Sequence, residues 1–307
     1  MSNEPSGLLV PAYDYPSEGD EAWDTLTDVG GILTSGQMMV VVNHEDGHFT
    51  EANPDYEAVI GKLNGVCASV LGYVHDCYDN TKVEPPLCPR TTDIMGDVDR
   101  WFATYEVAGI FIDQLLPDRV DHAAALVQQV RDRHPGAVVV LNPGTIPPEE
   151  FMEQTDPAVV VIQEGSVHSE DPNNPPTFDA NWPPPGWVRD RATPTPTGAA
   201  SIAAGRLAII GHTAPDPEHV DNLIAKAAQY NIRWVYAQHV TGSTYNPLSI
   251  HLQLLGERLS AFSRLGCLAV PFGRVFIYLL NYILCRAIRG TSRLVTAARQ
   301  RKDGPRR

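Results

Sequence analysis

Gly109-Ile110-Phe111-Ile112-Asp113-Gln114 is a short apolar run that ends abruptly in an acid and an amide. A buried strand that delivers a carboxylate at its C-terminal end is how a parallel α/β barrel presents reactive groups. The run Ala158–Ile162 ends the same way, in Gln163-Glu164. Working outward from these two, eight apolar, β-branched runs recur: Leu8–Ala12, Met38–Val42, Ser69–Val74, Gly109–Ile112, Ala137–Leu141, Ala158–Ile162, Leu207–Ile210 and Ile232–Ala237. Their apolar residues are continuous rather than alternating, which indicates strands covered on both faces, as in a parallel sheet.

The segments between them carry helical periodicity. After Asn53-Pro54, a cap followed by a helix-compatible proline, Tyr56, Val59, Ile60 and Leu63 share one face. Val120, Ala124, Val127 and Val130 repeat the pattern before His134-Pro135-Gly136 stops it, and Val220, Leu223, Ile224 and Ala227 do so within Asp216–Tyr230. Strand–helix alternation repeated eight times predicts an α/β protein of the (β/α)8, TIM-barrel type. An open doubly wound sheet is the alternative, weakened by the lack of a Gly-x-Gly-x-x-Gly after the first strand. The barrel is expected to fill residues 1–264, with a long Pro/Asn/Thr-rich loop after strand six and an apolar then basic tail over 265–307. Trp182 and Trp187 in that loop either form a stacking surface for a sugar ring or pack the loop on the barrel.

Charge divides the chain in the same place. From Arg264 onward there are ten of the 23 Lys/Arg and one acid, Asp303, which leaves 13 basic against 36 acidic residues before it. A body this acidic repels nucleic acid and suits a neutral or cationic ligand. Within the tail, the clean apolar core Val275–Cys285 is shorter than the ~20 residues needed to span a bilayer, and Arg286, Arg289 and Arg293 follow it. It reads as a membrane-associating segment with a polybasic flank, or as an appended tail. The N-terminus shows no secretory signal. The five cysteines match no zinc spacing. Cys77 and Cys88 either pair in an oxidising compartment or stay as loop thiols.

Polar residues follow every predicted strand. They are Tyr13 and Tyr15 after the first, Asn43 and His44 after the second, His75 and Tyr78 after the third, and Asp113 and Gln114 after the fourth. Asn142, Glu164, His212, and Gln238 with His239 follow the remaining four. In a barrel these converge on the C-terminal rim. Two carboxyl groups there, one ionised and one kept protonated by burial, are the minimum for cutting a glycosidic bond. Asp113 is the candidate ionised partner. Glu164, led in by an apolar strand that disfavours its charged form, is the candidate proton donor. Tyr13, Tyr15, Asn43, His75, Tyr78, Gln114, Asn142, His212 and Gln238 are the candidates for substrate binding. No His-x-His, His-Glu-x-x-His or Gly-x-Ser-x-Gly pattern occurs, so no metal, no cofactor and no serine nucleophile are expected.

Several runs, in order, resemble the spherulation-specific family 4 (spherulin-4-like), grouped as a glycoside hydrolase family. They are Leu8-Leu9-Val10-Pro11-Ala12-Tyr13-Asp14-Tyr15-Pro16, Asn53-Pro54-Asp55-Tyr56, Leu71-Gly72-Tyr73-Val74-His75, Gly109–Gln114, Leu141-Asn142-Pro143-Gly144-Thr145 and Glu164-Gly165. The resemblance covers residues 8–263. It implies a (β/α)8 barrel, a monomer, location outside the cell or at its surface, and endo-acting hydrolysis of an amino-sugar polysaccharide. The substrate class it implies is α-1,4-linked N-acetylgalactosamine in galactosaminogalactan, with the catalytic acids falling on Asp113 and Glu164. The chain departs from the family pattern at one telling place: the family usually has Asp-Glu at the end of strand four, where this chain has Asp113-Gln114. Gln hydrogen-bonds but does not ionise. The departure implies a glycan-binding pseudo-enzyme as the alternative to a hydrolase.

Overall fold

The computed structural model describes residues 7–17, 19–78, 93–171, 173–179, 182, 184–192, 204–241, 245 and 247–265, with backbone alone for 190–192, 204 and 261–265. Eight parallel strands close into one barrel in sequence order: β1 (Gly7–Ala12), β2 (Met38–Val42), β3 (Ser69–His75), β4 (Gly109–Asp113), β5 (Val138–Leu141), β6 (Val159–Ser166), β7 (Leu207–His212) and β8 (Trp234–Ala237). The ring shuts where Gly7 and Leu8 of β1 pair with Trp234 and Val235 of β8. One helix follows each strand: α1 (Glu21–Ile32), α2 (Pro54–Gly65), α3 (Ile94–Thr104), α4 (Val120–Arg133), α5 (Glu149–Gln154), α6 (Gly186–Ala192), α7 (Pro217–Gln229) and α8 (Leu252–Leu265). This is the (β/α)8 barrel that the strand–helix alternation predicts. The open-sheet alternative is excluded by the β1–β8 pairing.

Local chemistry accounts for the element ends. Asn53 caps α2 by accepting the Asp55 N–H, with Pro54 in the first turn. Asp20 does the same for α1, accepting from Ala22. β1, β2 and β8 are buried at every residue, because side chains on one face fill the barrel and those on the other meet the helices. Leu26, Val98, Val130, Val220 and Leu223 are fully buried from the helix side. Trp101 of α3 is seated directly on Gly72 of β3 and donates its indole N–H to the Tyr73 carbonyl at 2.9 Å.

The long loop after β6 resolves the two readings of its tryptophans. Trp182 is buried, edge-on to Phe178 at 4.9 Å and to Tyr230 at 5.5 Å, and Trp187 is half-buried against the core. Both pack this segment onto the barrel, Trp182 completely and Trp187 in part.

Cys67 and Cys77 are both disulfide-bonded. They flank the seven residues of β3, which rise about 3.3 Å each. That span exceeds any disulfide's reach, so they are not bonded to each other. Cys88, the expected partner of Cys77, lies outside the described residues, as does the tail from residue 266. Among the described residues no helix is long and apolar enough to cross a membrane.

The start of β4 tolerates no side chain. A Cβ on Gly109 would lie 1.9 Å from the Val138 carbonyl oxygen of β5. Gly109→Ala is expected to cost about 3 kcal/mol in urea unfolding, by forcing two paired strands apart.

Candidate active site

Asp113 ends β4, where it pairs in register with His75 of β3. Its carboxylate is fully engaged. Tyr73 donates its hydroxyl to Oδ2 at 2.7 Å, and Oδ1 accepts both the Gln114 N–H and the Asn142 side-chain amide at 2.8 Å. Burial pushes the Asp113 carboxyl above the ordinary range, and these three donors pull it back toward the charged form.

Glu164 does not follow β6, as the apolar run suggests, but sits inside it. The register explains its direction. Val161 pairs with Ala208 and Glu164 with Ile210, yet Val161 and Glu164 are three residues apart while Ala208 and Ile210 are two. A bulge between Val161 and Gln163 absorbs the extra residue, so Val161 and Glu164 share one face. Without it, strand alternation would turn Glu164 to the other face.

Tyr245 donates its hydroxyl to Glu164 Oε1 at 2.5 Å, and the Glu164 N–H is held by the Gly144 carbonyl at 3.1 Å. Burial, then repulsion from Asp113, raises the Glu164 carboxyl to about 7, against the opposing hydrogen bonds from Tyr245 and Asn142. Asn142 thus acts on both carboxyl groups with one amide, whose oxygen is fixed by the Gly144 N–H at 3.0 Å. On the opposite side Tyr13 stands edge-on between the two tyrosines, 5.1 Å from the Tyr73 ring and 5.9 Å from that of Tyr245. Each acid therefore has its own tyrosine, and the pair shares Asn142 and Tyr13.

The other candidates divide. Tyr78 stands at the rim, 38% exposed, and burial, then the charge of Asp113 and Glu164, raises its phenol. Gln114 has a left-handed backbone (φ 57°), its N–H donates to Asp113 Oδ1, and its side-chain Oε1 lies 3.3 Å from His75 Nδ1. His75 Nε2 faces His48 Nε2 at 3.3 Å, and His48 Nδ1 lies 3.2 Å from Asp97 Oδ2. His212 is half-buried, 2.9 Å from the Thr213 hydroxyl, and lines a separate cleft on the β7 side.

Three candidates are engaged away from the acids. Tyr15, 51% exposed, donates to Asp55 at the start of α2. Asn43 closes a turn, accepting the Asp46 N–H at 2.8 Å and donating to Asp46 Oδ1 at 2.9 Å. Gln238 is fully buried, donating to the Pro247 carbonyl at 2.7 Å and accepting from the His239 N–H at 2.9 Å. It therefore braces the segment that carries Tyr245.

Tyr73, Tyr245, His48 and Asp97 are not among the sequence candidates. Tyr73 was within reach of the pattern, since it lies two residues before His75 in the same strand and must share its face. Tyr245 belongs to no periodic segment, and only the folded chain brings it 81 residues back to Glu164.

The profile of the spherulation-specific family 4 matches residues 7–257. The chain belongs to that family. Two solved structures share its fold. Aspergillus clavatus Sph3 in complex with GalNAc is 20% identical with a TM-score of 0.58, over 84% of this chain and 98% of that one. A catalytic-site mutant of active domain 2 of the thermostable chitinase from Pyrococcus furiosus, complexed with chito-oligosaccharides, is 11% identical with a TM-score of 0.53, over 88% and 100%. Curated protein sequences offer no match.

The raised Glu164 carboxyl has a stability consequence with a defined sign. Its folded value, about 7, exceeds its ordinary 4.5, so the folded chain binds more protons between those limits and loses stability as pH rises through them. Glu164→Gln is expected to stabilise the chain by up to about 3 kcal/mol above pH 7 and to leave it nearly unchanged at pH 4, read by urea titration at both values. Tyr245→Phe removes a donor to Glu164 and should move its titration upward, read by NMR of the labelled carboxyl carbon.

Proposed function

We propose that this chain is an endo-acting glycoside hydrolase of an amino-sugar polysaccharide containing α-1,4-linked N-acetylgalactosamine. Asp113 is the ionised partner, as nucleophile or base, and Glu164 is the proton donor to the leaving oxygen. The observation that carries this reading is the split between two neighbouring carboxyl groups. Burial raises both, but three donors oppose the rise at Asp113, while Glu164 is raised to about 7 and so is largely protonated below neutral pH. Membership of the family and the GalNAc bound in the Sph3 crystal structure support the substrate class. The acidic body favours stretches of such a glycan that carry free amines. Disulfide bonds at Cys67 and Cys77 support an extracellular or cell-surface location, because disulfides persist in oxidising compartments.

Within this mechanism the surroundings have separate tasks. Asn142 links the two carboxyl groups, Tyr73 holds Asp113 Oδ2 and Tyr245 holds Glu164 Oε1, so a sugar oxygen approaching Asp113 shares an oxygen that already accepts a hydrogen bond. Tyr13 forms the floor between them and Tyr78 stands at the rim. Substrate contacts are proposed for these two, His75, Gln114 and Asn142. The remaining candidates near the rim act through the loops they brace, apart from His212.

A second reading rests on Gln114: the same site binds the glycan without cutting it. The position of that side chain, turned to His75, favours hydrolysis that needs no carboxylate there. A reducing-end assay on galactosaminogalactan separates the two. The native chain should release reducing ends, with a rate that falls as pH rises through about 7, where Glu164 loses its proton. Asp113→Asn and Glu164→Gln should each lower that rate about 10²–10⁴-fold. Binding without cleavage, with cleavage gained in Gln114→Glu, would establish the pseudo-enzyme instead.

A further inference from the structure

Beyond Glu164, on the side away from Asp113, the rim opens into a second cleft. Its volume is about 650 Å3, within the range of small-ligand sites. Among the described residues it is lined from three successive strand ends: Ser166 and His168 after β6, His212 and Thr213 after β7, and His239 and Thr241 after β8. Ser166 and His212 are register partners two residues above the Glu164–Ile210 pair, so both point to the face that Glu164 uses. The cleft therefore begins one pleat above the proton donor.

The lining fits a sugar rather than an ion or an apolar group. Ser166, Ser169, Thr213 and Thr241 supply hydroxyl groups, and three imidazoles come from three different strand ends. Burial holds the rings of His212 and His239 below the usual histidine range, and with Nδ1 engaged by Thr213 or Gln238 each keeps its Nε2 for a ligand hydroxyl. A pyranose hydroxyl pairs with such a nitrogen as donor or as acceptor. The titratable and charged groups facing these rings from the packed elements are Glu170 and Asp171 from the β6 loop, His219 of α7, whose ring lies 4.7 Å from that of His168, and His251 beside His239.

We infer that this cleft is the binding site for the saccharide on the leaving-group side of the cut, held by His168, His212 and His239. The inference rests on the proposed hydrolysis, because a proton donor must touch the oxygen that departs. The departing sugar then lies beyond Glu164, over β6 to β8. The sugar that Asp113 attacks lies over β3 to β5, against His75 and Tyr78. The glycan thus runs across the rim in one fixed direction, with its reducing end toward β8.

The test compares two substrates in the native chain and in the double variant His168→Ala/His239→Ala. One substrate is an unmodified α-1,4-N-acetylgalactosamine oligosaccharide. The other carries 4-nitrophenol as its leaving group and so needs no sugar in the cleft. The variant should lose at least about 10-fold more kcat/KM on the unmodified chain than on the nitrophenyl glycoside, the loss of one or two hydrogen bonds. Equal losses on both, or none on either, overturn the inference. If the native chain cleaves neither substrate, the proposed hydrolysis fails, and binding decides the cleft alone. Titration of ring-labelled protein with the unmodified oligosaccharide should shift the signals of His168, His212 and His239. Shifts confined to His75 and His48 would place the whole ligand on the other side.

Discussion

The centre of this barrel is governed by repulsion between two desolvated carboxyl groups. Asp113 and Glu164 come from strands separated only by β5, and both are partly buried, so the charge on Asp113 raises the cost of charging Glu164. Symmetric surroundings would leave the pair sharing a proton. The surroundings are not symmetric. Burial raises both, but Asp113 receives a backbone N–H, a phenol and an amide, whereas Glu164 receives only a phenol and the shared amide and is also repelled by Asp113. Burial, repulsion from Asp113 and the smaller number of donors together raise Glu164 to about 7.

That asymmetry depends on backbone features that do not follow from regular strand geometry. A bulge in β6 turns Glu164 to the shared face. A left-handed residue at Gln114 turns the chain just beyond Asp113. Cys77, Tyr78, Thr213 and Tyr245, all at this end of the barrel, also adopt positive φ without being glycine. Such conformations cost of order 1 kcal/mol each and gather where a rigid surrounding holds them for function. The opposite end serves closure and packing. There Gly109 meets Val138 at backbone distance and Trp234 lies over Gly7.

The substitution of Gln114 for the acid usual in the family acquires a physical context here. The side chain faces His75, which continues through His48 to Asp97 and Arg100. A carboxylate at position 114 would place a third negative charge beside Asp113 and Glu164. An amide keeps the hydrogen-bonding shape without that charge. The two-acid site is in this sense simpler than the family pattern suggests, and its polarity rests on fewer ionisable groups.

The sequence by itself determined the barrel. Eight apolar runs and their helical partners match the observed strands to within two residues at their starts, because covering a parallel strand on both faces demands a composition that local reading detects. It also located Asp113 and Glu164, since each ends an apolar run, and Asn142 between them. What only the tertiary structure decided is which strand-end polar groups face the acids. Tyr15, Asn43 and Gln238 have the right residue types in the right places, yet they spend their hydrogen bonds on their own loops. Tyr245 has no pattern at all and reaches Glu164 from a segment 81 residues away. Local sequence fixes where a strand ends. The direction of a side chain beyond that end is set by bulges, left-handed turns and loop contacts, all of which come from distant parts of the chain.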